Sequence, residues 1–317
     1  MKAFIKKNIP GLYDYYLHLG RKKKIRETRK LKKLSLIECA RKDAQIYEEL
    51  MGHKLNWNKL ETYTEKMQWE KLFDQNPLKV RLTDKYEVRE WVKEQIGEEY
   101  LIPLLGTWER LDDVNFEQLP EQFVLKTNHG SGTNVIVRDK SKMNVRRVKR
   151  LIEDWLKIDY AYHSGFEMHY SQIKPRIIAE QYVEAENGEL QDYKFLCFHG
   201  EVYYCWVDQG RYSKHVRNVY DLDWNLQPWN QSHCGNAERP IAKPENFDLM
   251  VELAHQLCQG FSHVRVDLYN VRGKIYFGEM TFTNGRGFDP IVPQEYDKTL
   301  GDLWVAEMPV PEELKEN

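Results

Sequence analysis

The sequence lacks the apolar segments that carry a chain into or across a membrane. No stretch of its 317 residues approaches the ~20 apolar residues of a transmembrane helix, and dense runs such as 202–207 have the length of a strand. The first residues lack the apolar core and cleavage site of a signal peptide. We therefore expect a cytoplasmic protein. Aromatic residues make up 13% of the chain, which excludes a disordered or fibrous protein.

Several common catalytic and metal-binding patterns are also missing. The cysteines number five, without a C-x-x-C pair, so neither a disulfide framework nor a cysteine zinc site is indicated. The ten histidines form no H-x-x-x-H or H-E-x-x-H pattern, and no G-x-S-x-G motif occurs. Zinc enzymes and α/β-hydrolases are thereby disfavoured. We detect no internal repeat and no low-complexity segment.

Positive charge is concentrated at the start of the chain. Residues 1–33 contain 12 Lys or Arg but only Asp14 and Glu27 as acids, whereas the whole chain has a net charge of −2. Upstream of the main basic run, six apolar residues can share one helical face: Ile5, Leu12, Tyr13, Tyr16, Leu17 and Leu19. Such a segment suits peripheral contact with the anionic inner face of a membrane, or a solvated basic helix packed on an acidic body. No nucleic-acid reader motif accompanies it, so we expect no nucleic-acid partner.

Hydrophobic periodicity predicts helices alternating with antiparallel hairpins. Helices are expected over 24–52, 84–96 (with Thr83 as N-cap), 144–158 and 246–259. Residues 102–107 indicate an edge strand or turn, and 177–183 a strand followed by a polar turn near 187–188. Three hairpins are expected, with turns in 128–133, at 199–200 and at 272–273. This order predicts an α+β fold and not a doubly wound parallel sheet.

The first candidate site is the glycine-rich turn His129-Gly130-Ser131-Gly132-Thr133. Its glycines leave room for a phosphate to approach the backbone, its hydroxyls can donate hydrogen bonds, and Lys126 on the preceding strand can supply a positive charge. The segment matches neither a Walker loop nor a dinucleotide fingerprint. A plain flexible turn is the alternative.

The second candidate site is an acidic pair on the last predicted hairpin. Asp267 and Glu279 lie on its two strands, and pairing in the right register would bring both carboxylates to one face. Two hard carboxylates can hold Mg²⁺ with nucleotide phosphates. Arg265 shares a face with Asp267, and Thr281 shares one with Glu279. An arginine–carboxylate pair that closes the strand end is the alternative.

Two further groups lie on neighbouring strands. The strand end Glu180-Gln181-Tyr182-Val183 could present backbone groups to an adenine edge, or be an ordinary strand end. Asp192 and Lys194 share a strand face, where they could bind ribose and phosphate or form a solvated charged face.

Taken in order, these motifs resemble the ATP-grasp superfamily, and more closely its TupA-like family, found with bacterial surface-polysaccharide genes. The resemblance spans about 50–304 and is carried by five segments: Asp84-Lys-Tyr-Glu-Val-Arg-Glu-Trp-Val92, Tyr100-Leu-Ile-Pro-Leu-Leu-Gly106, Phe123-Val-Leu-Lys-Thr-Asn-His-Gly-Ser-Gly132, Arg265-Val-Asp-Leu-Tyr269 and Phe277-Gly-Glu-Met-Thr-Phe282. It implies two α+β lobes that clamp a nucleotide, plus a helical basic N-terminal segment. The implied divisions are a basic segment 1–50, a subdomain 51–117, a first lobe 118–190 with the glycine-rich hairpin, and a second lobe 191–317 with the metal-site hairpin.

The resemblance also implies a role for each candidate residue. ATP phosphates would meet Lys126, Lys194 and the loop 129–133, while adenine would meet 180–183 and ribose Asp192. Asp267 and Glu279 would hold Mg²⁺, with Thr281 where many members have asparagine and Asn284 as a substitute ligand. Arg265 would stabilise the transferred phosphoryl group. Lys85 and Arg89 are expected to face phosphate or the acceptor.

The implied reaction is an ATP-dependent carboxylate–amine ligation that joins an amino acid to a sugar acid of a capsule, O-antigen or teichuronic-type polymer. Aromatic residues of 206–245, including Trp206, Trp224 and Trp229, suit sugar stacking or core packing. One alternative is a glycosyltransferase using Asp221-Leu-Asp223 as its metal motif. The other is a non-catalytic nucleotide-binding scaffold.

Overall fold

The computed structural model describes residues 10–163, 165–185, 190–210, 215–231 and 234–315, with backbone only at Pro10 and Leu12. The predicted turn near 187–188 and Ile5 lie outside these residues. The described α-helices are α1 (Pro10–Leu31), α2 (Leu36–Met51), α3 (Tyr63–Phe73), α4 (Pro77–Thr83), α5 (Val88–Gln95), α6 (Val145–Leu156), α7 (Phe247–Leu257) and α8 (Glu295–Leu303). The strands are β1 (Leu104–Trp108), β2 (Phe123–Thr127), β3 (Asn134–Val137), β4 (Ile177–Gln181), β5 (Asp192–Phe198), β6 (Glu201–Gln209), β7 (Val216–Tyr220), β8 (Asn230–Gln231), β9 (His263–Val271), β10 (Lys274–Thr281) and β11 (Ile291–Val292).

The chain forms two compact units that interleave along the sequence. Unit 1 takes its described residues from Met1–Ser35, Asp84–Tyr86 and Pro103–Tyr182. Unit 2 takes them from Leu36–Thr83, Glu87–Ile102 and Val183–Asn317. Each unit contains helices and an antiparallel sheet, which confirms the predicted α+β class.

Unit 1 is built on a four-stranded antiparallel sheet in the order β1-β4-β2-β3. The segment 102–107 therefore does contribute an edge strand, as predicted. Phe123 and Leu125 alternate with half-buried neighbours on β2, so one face of the strand enters the core. Helix α6 covers that face with Val148 and Ile152. It begins where predicted, because the side chain of Asn144 caps it by accepting the Arg147 N–H.

Unit 2 contains a five-stranded antiparallel sheet in the order β10-β9-β5-β6-β7. Its central strand β5 is buried along its whole length. One face of the sheet packs Phe195 and Val266 against α7 residues such as Phe247. The other face divides into an apolar part around Phe198 and Trp206, covered by residues of α3 and α8, and a charged part described below.

Both tight hairpin turns of unit 2 form at the predicted dipeptides. His199 and Gly200 have φ of 51° and 77°, and Arg272 and Gly273 have φ of 54° and 79°. Two successive residues with positive φ give a turn whose twist matches that of paired strands. The hairpin predictions are thus confirmed.

Two predicted helix boundaries are wrong. The segment 24–52 is two helices, because α1 ends at Leu31 and Ser35, a residue type that favours N-caps, directly precedes α2. The predicted helix 84–96 begins only at Val88. Asp84 accepts the Tyr86 backbone N–H and an Asn128 side-chain N–H, so it forms a turn instead of a first helical turn. Within the described residues, none of the helices combines the length and apolarity needed to cross a membrane.

Candidate functional site

A charged band crosses one face of the unit 2 sheet, and strand register produces it. Lys194 on β5 lies opposite Asp267 on β9, and Asp267 lies opposite Glu279 on β10. Asp192 lies two residues before Lys194 and so shares its face. Asp192, Lys194 and Asp267 are each at most 3% exposed, while the Glu279 side chain is 43% exposed. The band therefore opens to solvent at Glu279.

The Arg265 side chain lies at the centre of the predicted metal ligands. It forms a bidentate ion pair with Asp267, with Nε–Oδ1 2.6 Å and Nη2–Oδ2 2.7 Å. Its Nη2 also donates to Glu279 Oε1 (3.3 Å) and Thr281 Oγ1 (3.0 Å), and its Nη1 donates to Asn284 Oδ1. The structure thus brings together all four predicted ligands. The arginine–carboxylate alternative also describes the contact between Arg265 and Asp267.

Opposite charges balance within the buried part of the band. Lys194 contacts Asp267 as well as Asp192, the latter at 3.2 Å. Burial disfavours the charged form of Asp267, but Arg265 and Lys194 outweigh it and hold the pKa of this carboxyl below its usual range. The carboxylates in turn raise the pKa of Arg265 against its own burial. Asp267 and Arg265 are therefore both ionised at neutral pH.

A β-bulge aligns the two carboxylates. The pairing of β9 with β10 shifts by one residue between Phe277 and Glu279, which places Glu279 opposite Asp267. Gly278 makes the bulge feasible, because a Cβ at this position would lie 2.9 Å from the Asp267 carbonyl oxygen. The sequence pattern alone carried no signal for this shift.

The chemistry of this cluster suits a hard divalent cation. Its oxygens come from two carboxylates, a hydroxyl and an amide, and they already surround the cationic guanidinium of Arg265. In the part of the chain that the structure describes, the buried Asn284 Nδ2 atom has no hydrogen-bond partner. Among the described residues, no group of three or more His, Cys, Asp or Glu side chains is arranged for a metal. A site with two carboxylates would fit Mg²⁺ only with ligand oxygens from elsewhere, such as phosphate.

In unit 1, Lys126 and the predicted adenine-binding strand end lie side by side. Lys126 on β2 forms an ion pair with Glu180 on β4. The Lys126 side chain is 22% exposed, whereas Glu180 is buried. Beyond Glu180, Gln181 is exposed, and the Tyr182 ring lies 6.0 Å from the Arg138 guanidinium. The Glu180 carboxylate therefore links β4 to β2 through its ion pair with Lys126.

The glycine-rich loop joins β2 to β3 and is closed by its own side chains. The Thr127 hydroxyl donates to Thr133 Oγ1 at 2.7 Å, so Thr133 is turned inward and buried. Ser131 and Gly132 are exposed, and Gly132 has φ +70°. Gly130 packs so closely on Tyr160 that a Cβ would lie 2.5 Å from the ring. The exposed part of the loop is thus its Ser131-Gly132 tip.

His129 points into unit 1 and not towards the loop surface. Its side chain is 3% exposed and lies edge-on to Tyr160, with 5.3 Å between ring centroids. Burial disfavours the imidazolium and lowers the pKa of His129 to about 4. A phosphate at this loop would therefore meet the His129 backbone, because the neutral ring is packed away.

Sequence reasoning missed the residue that anchors the glycine-rich loop. Asn128 is fully buried; its Nδ2 donates to Asp84 Oδ2 and the Lys174 carbonyl, and its Oδ1 accepts the Arg176 N–H. Lys85, next to Asp84, donates to the Gly130 carbonyl oxygen. Asn128 lies within the recognised motif, but nothing in its spacing indicated these distant partners. Arg89, in unit 2, donates to the Ile102 carbonyl oxygen.

A second buried pair on unit 2 was also missed. Arg217 on β7 binds Asp208 on β6 through both Nε and Nη2, and Gln231 through Nη1. Burial opposes ionisation of Asp208, but Arg217 outweighs it and keeps the pKa of this carboxyl well below its usual range. Arg217 lies in a region without clear periodicity, so its partner could not be identified from spacing.

Sugar stacking by Trp206 and Trp229 is excluded by their burial. Both are at most 2% exposed and pack edge-on to each other in the unit 2 core, so for these two residues the core-packing alternative is confirmed and the sugar-stacking alternative is wrong. Trp224 stacks on Tyr220 at 4.2 Å. Asp221, in the candidate glycosyltransferase motif, accepts the backbone and side-chain N–H groups of Asn225 and so closes a turn.

Comparison with models of protein families assigns the chain to one family. The model described as TupA-like ATPgrasp matches residues 65–305. The chain belongs to the TupA-like ATP-grasp family. This match includes the glycine-rich loop of unit 1 and the charged band of unit 2, and it confirms the family predicted from the sequence motifs. Comparison with curated proteins gives no match.

Solved structures of a ligase and a synthetase are similar at low identity. D-alanine–D-alanine ligase from Bacillus anthracis, complexed with ATP, is 14% identical with a TM-score of 0.40; the match covers 71% of this chain and 63% of that one. N5-carboxyaminoimidazole synthetase from Staphylococcus aureus, complexed with ADP, is 13% identical with a TM-score of 0.38; the match covers 63% of this chain and 44% of that one. The TupA-like chain thus spans less than two thirds of the length of either protein.

Proposed function

We propose that this TupA-like protein is an ATP-dependent carboxylate–amine ligase. The observation that carries the proposal is the cluster around Arg265, in which two cations and three carboxylates from three neighbouring strands lie on one sheet face and open to solvent at Glu279. Buried charges cost folding free energy unless they are paired. Stability of the fold alone would not require five charged side chains on one sheet face. A site for phosphate and a divalent cation uses both signs of charge.

Each part of the ATP molecule has candidate partners. Lys126, Lys194 and the backbone of the loop 129–133 are suited to the phosphates, since cations and free N–H groups bind phosphate oxygens. The strand end 180–183 offers backbone groups to adenine, and Asp192 offers a carboxylate to ribose. Asp267 and Glu279 would hold Mg²⁺, supported by Thr281 or Asn284. Bound there, Mg²⁺ would neutralise phosphate charge.

The proposed reaction needs positioning more than covalent chemistry from the protein. A substrate carboxylate attacks the γ-phosphorus of ATP, the bond to ADP breaks, and an acylphosphate forms. An amine then displaces phosphate and forms an amide. Arg265 would offset the charge that spreads over the transferred phosphoryl group, as cations do in phosphoryl transfer. The exposed loop tip at Ser131 and Gly132 would shield the acylphosphate from water.

The family context supports a sugar acid as the carboxylate and an amino acid as the amine, in the synthesis of a bacterial surface polysaccharide. We place the reaction in the cytoplasm, where ATP is supplied.

The test is a calorimetric titration of the full chain with ATP, with and without Mg²⁺. Glu279→Gln is the most informative variant, because Glu279 is half-exposed and its loss disturbs the fold least. We expect the wild type to bind ATP in a Mg²⁺-dependent manner and the variant to lose that dependence. Asp302→Asn is the matched control, since Asp302 is likewise an exposed acid of unit 2 in an ion pair, with Lys298 at 2.8 Å.

ADP release is then measured with pairs of uronic acids and amino acids. Release that requires both substrates would support ligation. Folded wild-type protein that fails to bind ATP would contradict the proposal and favour a nucleotide-sugar enzyme. ATP binding without turnover on any pair would favour the scaffold alternative.

A further inference from the structure

Two side chains of helix α3 bind the turn formed by Asn284–Gly287. Lys71 Nζ donates to the Arg286 carbonyl oxygen at 2.8 Å, and Gln68 Nε2 donates to the Gly287 carbonyl oxygen at 2.7 Å. Both α3 side chains are buried. The turn lies beyond the end of β10, so the strand ladder does not fix its position. Helix α3 therefore holds a segment that the sheet leaves to itself.

This turn needs support because its backbone is strained. Gly285, Arg286 and Gly287 have φ of 55°, 63° and 71°, a region in which the Cβ of an arginine is disfavoured. The Arg286 N–H donates to the Thr283 carbonyl oxygen at 3.0 Å, which closes the turn on itself. That bond does not attach the turn to the rest of unit 2. The two α3 side chains supply an attachment.

The charge of Lys71 is buried completely beside Asp43 of α2. Both side chains are 0% exposed, with 2.8 Å between Nζ and Oδ1. Burial raises the pKa of Asp43 to about 6, although the neighbouring Lys71 acts to lower it. A buried ion pair of this kind is often no more stabilising than apolar side chains of similar volume. The carbonyl bond to the turn therefore explains a lysine at this position better than stability does.

Asn284 connects the turn to the charged band. Its side chain is buried, and its Oδ1 accepts a hydrogen bond from Arg265 Nη1. Arg265 in turn binds Asp267 and Glu279, the two carboxylates proposed to hold Mg²⁺. A displaced turn would carry the Asn284 amide away from this cluster.

We propose that Lys71 is a positioning residue of the candidate ATP site: its bond to the Arg286 carbonyl oxygen holds the turn 284–287, and thereby keeps Asn284 beside Arg265. The inference rests on the proposed function, because it assigns a role in that same site. Residues that orient the ligands of a metal change its affinity by about 10- to 100-fold when they are substituted.

The variants are made in the full chain. Lys71→Met removes the bond to the turn but leaves Asp43 buried and unpaired, whereas Asp43→Asn/Lys71→Met removes both charges at nearly constant volume. Lys66→Met is the matched control. Lys66 also lies on α3 and donates to two carbonyl oxygens, of Gly301 at 2.7 Å and Trp304 at 2.8 Å, but these lie at the end of α8. Circular dichroism and urea denaturation measure the folding of each variant.

The first measurement is limited digestion with trypsin, which cleaves after Arg or Lys where the backbone opens locally. Arg286 is exposed, so cleavage between Arg286 and Gly287 reports opening of the turn without any ligand. Loss of a hydrogen bond from a charged donor should speed this cleavage by about 10-fold in both Lys71 variants. Cleavage at this bond in Lys66→Met should stay at the wild-type rate.

The second measurement is calorimetric titration with ATP and Mg²⁺. Both Lys71 variants should bind at least about 10-fold more weakly than the wild type and Lys66→Met. The double variant should be more stable than Lys71→Met, because it contains no unpaired buried charge, yet its ATP binding should remain weak. A merely structural role of Lys71 would restore both together.

Cleavage after Arg286 that is no faster in the Lys71 variants than in Lys66→Met would overturn the proposal, as would faster cleavage with unchanged ATP binding. Recovery of ATP binding in the double variant would also overturn it. Folded wild type that binds no ATP would contradict the ligase function, and with it the role of Lys71 in binding. The cleavage rates would still show, independently of ATP, whether Lys71 holds the turn.

Discussion

Arg265 and Asp267, two residues apart on β9, hold each other in a bidentate ion pair inside unit 2. Charged side chains that neighbour each other on one face of a strand are usually exposed to solvent. Here both side chains are at most 7% exposed, and every other predicted metal ligand contacts Arg265. The pair therefore affects both the stability of unit 2 and the arrangement of the predicted metal ligands.

Replacing Arg265 by Gln should destabilise the protein strongly. The substitution leaves Asp267 with Lys194 as its remaining cation, and removing one partner of a buried pair costs about 3–5 kcal/mol. We expect a matching fall in the free energy of unfolding, measured by urea denaturation. Arg150→Gln, at an exposed arginine, should change it by less than about 0.5 kcal/mol. A loss below about 1 kcal/mol for Arg265→Gln would show that the pair is not buried as described.

Gly278→Ala should disturb the alignment of the two carboxylates. Its Cβ would lie 2.9 Å from the Asp267 carbonyl oxygen, so the bulge must shift. Steric insertion of this kind costs about 1–3 kcal/mol. We expect that loss by urea denaturation, together with weaker Mg²⁺-dependent ATP binding in the proposed site. Gly235→Ala is the control, because no atom of the described residues lies within 4 Å of a Cβ there. Unchanged stability and binding in Gly278→Ala would argue against the bulge.

The hairpins and the shared faces of near neighbours on one strand could be predicted from the sequence, because they depend on local rules. Two-residue turns with glycine indicated the hairpins, and strand alternation placed Asp192 with Lys194 and Arg265 with Asp267. Partners far apart in the sequence could not be predicted in this way. Asn128 meets Asp84 across 44 residues and Lys174 across 46, and only tertiary structure brings them together. The inward rotation of His129 likewise depends on Tyr160, not on the loop sequence.

Gly130→Ala should strain the glycine-rich loop through Tyr160. The new Cβ would lie 2.5 Å from the ring, so the loop or the ring must move. We expect a loss of about 1–3 kcal/mol in unfolding free energy. The double variant Gly130→Ala/Tyr160→Leu tests the cause: the two effects should be less than additive, since the smaller side chain makes room. Strict additivity would mean that Gly130 is required for another reason, such as backbone freedom.

His129 should make the stability of the protein depend on pH. Burial holds its folded-state pKa at about 4, below the 6.5 of an exposed histidine. The positive charge of Lys85 also lowers this pKa, whereas the backbone carbonyls near Trp155 and Ile158 raise it. The unfolded chain therefore binds a proton at pH 5 that the folded chain does not. This contribution to stability is complete above pH 6.5 and is lost as the pH falls towards 4, by up to about 3 kcal/mol.

His129→Phe keeps an aromatic ring against Tyr160 but removes the titration. We expect its unfolding free energy, measured by urea denaturation from pH 7.5 to 4.5, to fall less steeply with decreasing pH than that of the wild type. His255→Gln, at an exposed histidine, should leave the slope almost unchanged. Other buried groups, such as His263 with its lowered pKa, contribute equally to all three proteins, so the difference between the curves isolates His129. Parallel curves for His129→Phe and the wild type would mean that His129 is protonated without unfolding, and hence that the loop opens at acid pH.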